Sequence, residues 1–260
     1  MKKYRISSLV LLLLIVWQSL AVGASAAENT AYNWYVKRSA NKQPELSAEQ
    51  RMILDHGGYY LDTKVNEKSE DKVLYLTFDA GYENGNVSKI LDILKAENVP
   101  GAFFILDHPI LKNTDLVLRM ANEGHLVCNH SKNHKDMTTL TPEEMEKNLK
   151  ALETIYEQKT GKTMAKYFRF PEGRYSEEAL KTAEKLGYKS IFWSLAHADW
   201  DNDHQPDPEK SIQKLLANTH NGAVILLHPT SATNVEILPT LIREWKAQGY
   251  RFGTLDELTK

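Results

Sequence analysis

Two histidines four apart, His130 and His134 in NHSKNH, form the pair in this chain best suited to grip a metal ion. If the segment begins a helical turn, both imidazoles project from one face, since side chains at i and i+4 are neighbours there. Zinc metalloproteases need a glutamate directly after the first histidine of a comparable pair. Ser131 stands there, which disfavours a protease. Taken alone, the pair reads better as two solvated or hydrogen-bonded histidines. A metal site is favoured by its position after an apolar strand, with Asp79 and His228 placed after two others.

Asp79 closes the apolar run VLYLTF, where an isolated carboxylate is costly unless paired or near a cation. Its chemical reading is a general base that takes a proton from an attacking water; its plain reading is a turn or cap. His228 follows AVILL and precedes Pro229, so it reads either as a core histidine with satisfied ring nitrogens or as an acid that protonates a leaving amine. Arg169 in RFPEG and Asp199 in ADWD fit as their partners. A guanidinium holds a carboxylate through its planar fork, and a carboxylate orients and charges an imidazole. Each is equally readable as a structural ion pair.

The elements that must position these groups emerge from hydrophobic periodicity. VLYLTF, GAFFIL, HLVCN, KYFRF, KSIFWSL and AVILL read as short buried strands. Between them lie amphipathic helices: one with Val87, Ile90, Leu91 and Leu94 on one face, one over 114–122, one opened by a Thr141–Glu144 capping box, one over 176–187, one starting at Asp207-Pro208, and one around 236–248. Such alternation implies an α/β fold with a parallel sheet, either a barrel or a doubly wound sheet. No G-x-G-x-x-G follows the first strand, which removes the main support for a dinucleotide fold. Asp79, His130, Arg169, Asp199 and His228 all fall at carboxyl ends of strands, where barrel enzymes assemble their sites.

Residues 1–26 read as a secretory signal peptide: Lys2, Lys3 and Arg5, an apolar stretch from Leu9 to Trp17, then Ala24-Ser25-Ala26. Left uncleaved, the segment would serve as an N-terminal anchor; cleaved, no stable membrane span is expected. Residues 27–70 form an irregular arm and residues 71–260 a single catalytic domain. A formal charge of -2 offers no basic excess for neutralising phosphates, so nucleic acid is excluded as the expected partner. The single cysteine, Cys128, sits in LVC and reads as a buried inert thiol, which leaves the exported protein dependent on its core rather than on crosslinks.

Together, TFDAGYENG, HSKNH, RFPEG, ADW and LLH, in this order over residues 71–260, resemble the polysaccharide deacetylases of carbohydrate esterase family 4, the NodB-type domain. The resemblance implies a distorted, incomplete (β/α) barrel that hydrolyses an N-acetyl group to acetate and a free amine. It further implies a divalent metal on His130 and His134, with zinc first and cobalt, manganese or magnesium as alternatives. Asp79 would be the base, oriented by Arg169, and His228 the acid, tuned by Asp199. A backbone N–H near Glu172 would hold the oxyanion.

Most of that family carries two adjacent acids in the first motif, the second being the third protein ligand, whereas Asp79 is followed here by Ala80. Glu83 is a speculative replacement; its plain reading is a solvated loop acid. TFDAGYENG and FWSLAHADW, with Ala196 where many relatives carry an acid, resemble the delta-lactam-biosynthetic deacetylases. These act on N-acetylmuramic acid in spore-cortex peptidoglycan, and the freed amine closes on the lactyl carboxyl. The implied partner is the peptidoglycan glycan strand, at the cell envelope, outside the cell or in the spore intermembrane space. Arg174 is a candidate partner for a lactyl carboxylate; its plain reading, the one preferred, is an exposed arginine. Competing readings are a deacetylase for N-acetylglucosamine in peptidoglycan or chitooligosaccharides, a catalytically impaired glycan-binding module, and a glycoside hydrolase using Asp79 and Asp199.

Overall fold

In the computed structural model, residues 29–37 and 42–260 are described; the signal peptide assigned to 1–26 lies outside them. The alternation read from sequence becomes a curled parallel sheet. Its strands are β2 (Gly58–Tyr59), β3 (Val73–Ala80), β4 (Ala102–Ile105), β5 (Leu126–Asn129), β6 (Ala165–Phe168), β8 (Lys189–Ile191), β9 (Leu195–Ala196), β10 (Val224–Leu227) and β11 (Arg251–Phe252). Their order is β2-β8-β6-β5-β4-β3-β10-β9, with β11 also paired to β3. A separate antiparallel ladder joins β1 (Tyr32–Asn33) to β7 (Arg174–Tyr175).

Crossover helices cover the outside: α2 (Val87–Glu97), α4 (Thr114–Asn122), α5 (Pro142–Thr160), α6 (Glu177–Lys185), α7 (Pro208–Ala217) and α8 (Ala232–Ala247). Three shorter helices are α1 (Met52–Asp55), α3 (Asp107–Lys112) and α9 (Leu255–Leu258). The expected capping box opens α5: the Glu144 N–H donates to Thr141 Oγ1 at 3.3 Å and the Thr141 N–H to Glu144 Oε2 at 3.0 Å. The α3 helix was not legible as a separate element, and α8 begins four residues before 236 because Ser231 caps it.

The pleat of β3 sorts its side chains into two cores. Leu74, Leu76, Phe78 and Ala80 pack outward beneath the helices with Ile90, Leu94 and Leu241. Val73 and Tyr75 turn inward to meet Phe104, Cys128 and Val224 in the barrel interior, where the buried Cys128 thiol is pushed up by desolvation. Asp79 lies on this inward face.

The barrel is incomplete because KSIFWSL is two strands rather than one. Its first half, β8, pairs with β6 and β2; its second half, β9, pairs with β10. The intervening 192–194 carries the chain across a seam between β8 and β9. Backbone of the arm closes much of this seam: Phe192 N–H donates to the Tyr59 carbonyl (2.7 Å) and Asp62 N–H to the Gly222 carbonyl (2.9 Å).

Candidate active site

The β3–β10 register pairs Phe78 with Leu227, so the next residues along, Asp79 near the end of β3 and His228 just past β10, stand side by side. Both line a cleft of about 740 Å³ at the carboxyl end of the sheet, together with His130, His134, Glu172 and Trp193. Arg169 and Asp199 stand immediately behind, buried to 1% exposure each.

Asp79 is held from one side. Arg169 donates to Asp79 Oδ1 at 2.8 Å, while its other nitrogens donate to the Ile191 carbonyl and to Thr77 Oγ1, both at 2.9 Å. Its guanidinium also lies 4.2 Å from the centre of the Phe104 ring. Burial raises the Asp79 carboxyl pKa, but the positive charge of Arg169, aided by His130 and His228, outweighs it and holds the group below its usual range. Asp79 is therefore a carboxylate at neutral pH, with Oδ2 directed toward His130 Nε2 at 3.6 Å.

His228 is held from the opposite side. Asp199 Oδ1 accepts from His228 Nδ1 at 2.8 Å, and Oδ2 accepts from the His228 backbone N–H at 2.8 Å. Burial lowers the imidazole pKa, yet the hydrogen bond and charge of Asp199 and the charge of Asp79 win, leaving it above its ordinary value. Both Asp199 oxygens are occupied and the residue is buried, so it cannot face a scissile glycosidic bond. Asp79 and Asp199 therefore do not form the paired-carboxylate arrangement of a glycosidase.

A third participant was not singled out from sequence. Asn234 donates from Nδ2 to Asp199 Oδ2 at 2.5 Å and to the His228 carbonyl at 3.0 Å, while its Oδ1 accepts from His197 Nε2 at 2.9 Å. The side chain is fully buried. In the sequence Asn234 falls just ahead of the helix expected around 236–248, with nothing to mark it; in the structure it lies in the first turn of α8, three places after the Ser231 cap.

His130 and His134 do meet, with ring centroids 5.0 Å apart, but not on a helical turn. Residues 130–134 form a loop in which Ser131 and His134 adopt positive φ, 71° and 58°. Buried Asn129 braces it by accepting the Ser131 N–H at 2.8 Å and donating to Tyr188 Oη at 2.8 Å. His130 Nδ1 lies 2.9 Å from the Arg169 carbonyl, which only accepts, so this nitrogen carries the proton and Nε2 keeps its lone pair. Burial pushes the His130 pKa down to about 4, which keeps the ring neutral.

The other expectations divide. Glu83 turns away from the cleft, accepting the Gly85 N–H at 2.8 Å and the Val87 N–H at 3.1 Å to cap α2, so it does not replace the missing acid. Ala80 packs in the outer apolar layer. Arg174 lies 2.9 Å from Asp136 Oδ2 and is not part of the cleft wall. Glu172 does line the cleft, at φ 57°. In its turn the Gly173 N–H is taken by the Phe170 carbonyl (3.0 Å), leaving that of Glu172 as the available donor. Gly173 is irreplaceable there: a Cβ would sit 2.8 Å from Trp193 and 2.9 Å from Trp34, at φ 66°. Trp34 ties the arm to this turn, donating its backbone N–H to Gly173 O and its indole N–H to Trp193 O, both at 2.9 Å.

Among the described residues, no three His, Cys, Asp or Glu side chains are already drawn around a common point suited to a metal ion. The donor chemistry nonetheless fits a divalent cation. Two imidazoles adjoin, one of them neutral with its outer nitrogen fixed by a carbonyl as metal-ligating histidines usually are, and a carboxylate oxygen stands beside them.

The polysaccharide deacetylase family model matches residues 66–191. The chain is 38% identical to the peptidoglycan-N-acetylmuramic acid deacetylase PdaA of Bacillus subtilis, across 92% of this chain and 91% of that protein. The structure of B. subtilis PdaA, a family 4 carbohydrate esterase, superposes with a TM-score of 0.82 and 36% identity, covering 88% of this chain and 97% of that one. A peptidoglycan-N-acetylglucosamine deacetylase, PgdA of Listeria monocytogenes, is 34% identical across 75% of this chain but only 40% of its own length. The curled parallel sheet and these likenesses establish a hydrolytic de-N-acetylase: the chain belongs to the polysaccharide deacetylases of carbohydrate esterase family 4, of the NodB type.

Proposed function

We propose that this enzyme removes the acetyl group of N-acetylmuramic acid in peptidoglycan, releasing acetate and a free amine that can close on the lactyl carboxyl to form muramic delta-lactam. The observation that carries it is the opposed pair at the cleft floor: a carboxylate held ionised by Arg169 beside an imidazole that Asp199 favours in its protonated form. Near-complete mutual coverage with the B. subtilis muramic acid deacetylase supports this substrate over glucosamine.

Amide hydrolysis needs a base for the attacking water, a donor for the oxyanion and a proton for the leaving nitrogen. Asp79 takes the proton from water as it adds to the acetyl carbon, and the Glu172 N–H receives the developing oxyanion. His228, held through Nδ1, delivers a proton from Nε2 to the amine, the carbon–nitrogen bond breaks, and acetate leaves. His130 and His134 would hold the divalent cation, zinc in the first instance, with Asp79 as neighbouring oxygen donor. When bound, that cation supplies positive charge that polarises the acetyl carbonyl and acidifies water. Export to the cell envelope, at the forming spore cortex, is the setting this substrate requires.

Defined peptide-free and peptide-bearing glycans, incubated with enzyme and Zn²⁺, test the reading by mass analysis. Acetyl loss from muramic residues, followed by water loss on lactam closure, is the expected result. Acetyl loss confined to glucosamine would assign the second substrate, and glycan binding without acetate release under Zn²⁺, Co²⁺, Mn²⁺ or Mg²⁺ would remove the enzymatic role.

A further inference from the structure

A muramic residue differs from glucosamine by a lactyl ether on the ring carbon next to the one bearing the acetamide. A protein group that recognises its carboxylate must therefore share the cleft with Asp79 and His228. Arg169 is committed to Asp79, and Arg174 is paired with Asp136 away from the cleft. One cation remains. Lys214, on α7, is the only Lys or Arg among the described residues lining this cleft, and it is exposed, with no hydrogen bond or ion pair to its ammonium group among them.

Its surroundings suit that ligand. Ala196, Ala198 and Leu226 line the same cleft, and Ala196 sits directly opposite Leu226 in the β9–β10 register. They present no carboxylate to neutralise a lysine and offer an apolar surface for the lactyl methyl. Tyr82 and Trp200 are the exposed aromatics of the cleft, 43% and 64% accessible, available to stack on pyranose faces. Asn202 donates to the Tyr82 hydroxyl, joining the loops that carry the two rings.

We infer that Lys214 is the residue that recognises the lactyl carboxylate and so selects muramic acid over glucosamine. This rests on the muramic acid reading above and names the contact that enforces it. A lysine in the last turn of a helix also complements the helix dipole, and that purely structural role is insensitive to the substrate's charge.

The test compares a peptide-free glycan with free muramic carboxylates against the same glycan with those carboxylates converted to methyl amides. The readout is the ratio of the two kcat/KM values for wild type, Lys214→Met and Lys214→Arg. The wild-type ratio should favour the free acid roughly three- to tenfold, the range of a solvent-accessible charge-assisted contact, and should shrink as salt is raised. Lys214→Met should bring the ratio close to one, mainly through KM, and Lys214→Arg should retain it. A cooperative thermal transition shows that each variant is folded. A wild-type preference that survives in Lys214→Met overturns the role of Lys214 and leaves the substrate reading standing. Wild-type release of acetate from glucosamine alone overturns both.

Discussion

Arg169 reaches Asp79 from the floor of the barrel with a 2.8 Å hydrogen bond, while the same guanidinium grips the backbone of β8 and the Thr77 hydroxyl of β3. One planar fork thus spans the sheet and fixes the carboxylate. Arg169→Lys keeps a positive charge but not these simultaneous contacts. Asp79 then loses part of what opposes its burial, and its pKa rises. We expect kcat/KM at neutral pH to fall about a hundredfold, the lower range for a compromised general base, and the acid limb of the profile to move to higher pH. A pH–rate profile with an unmoved acid limb would separate Arg169 from Asp79.

The Asp199–His228 pair predicts the other limb. Because His228 is raised above its usual 6.5, its acid role persists to higher pH than a free imidazole's would and is lost as pH rises through the folded value. Asp199→Asn removes the charge that favours the imidazolium, so the alkaline limb should move to lower pH, with a loss of about tenfold or more in kcat. The stability sign follows the same shift: the pair's contribution is complete below pH 6.5 and is lost as pH rises through the folded value. Proton-sensitive NMR of His228 in both proteins measures the displacement directly.

Asn234 should matter without touching substrate. Asn234→Ala leaves Asp199 Oδ2 and the His228 carbonyl short of a donor, and about 1–3 kcal/mol of stability should be lost in denaturant titration. Asn234→Asp sets a second acid beside Asp199. The alkaline limb should shift in both variants; a loss of stability with no shift would make Asn234 structural only.

Metal affinity should separate the two histidine systems. His130→Ala deletes an imidazole whose Nε2 carries a free lone pair, whereas Asp199→Asn acts two residues away from any expected ligand atom. Calorimetric titration of Zn²⁺ should show at least about tenfold weaker binding in the first and little change in the second. Equal affinities would contradict His130 as a ligand.

How far the sequence disclosed this arrangement depends on the range of the interactions involved. Asp79, His130, Arg169, Asp199 and His228 were legible because strand-end placement follows from short-range periodicity. The proximity of His130 and His134 was legible too, but its geometry was not: Ser131 and His134 take positive φ in a loop whose Ser131 N–H is held by Asn129, itself braced by Tyr188 far along the chain. The break in KSIFWSL was hidden because residues on both sides of it are buried, and burial is what hydrophobicity reports. Glu83 looked like a free acid because backbone N–H donors leave no mark in side-chain spacing. Asn234 and Trp34 act through contacts that appear only after folding.

Trp34 provides the last test. Trp34→Ala removes a buried indole packed 4.8 Å from Phe192 and 5.6 Å from Tyr60, for which a loss of about 3–5 kcal/mol is expected. It also frees the Gly173 turn. Activity should therefore fall at temperatures where thermal denaturation shows the variant still folded; full activity there would limit Trp34 to stability.

That latch has a bearing on descent. Trp34 and Gly173 are far apart in the chain, yet each occupies space the other defines. A recombination event that joined a foreign leader and arm to the catalytic strands would import a new partner for a turn shaped to the old one. The two stretches are expected to be inherited as one unit, and exchanges between relatives should succeed only when the crossover falls outside residues 32–175.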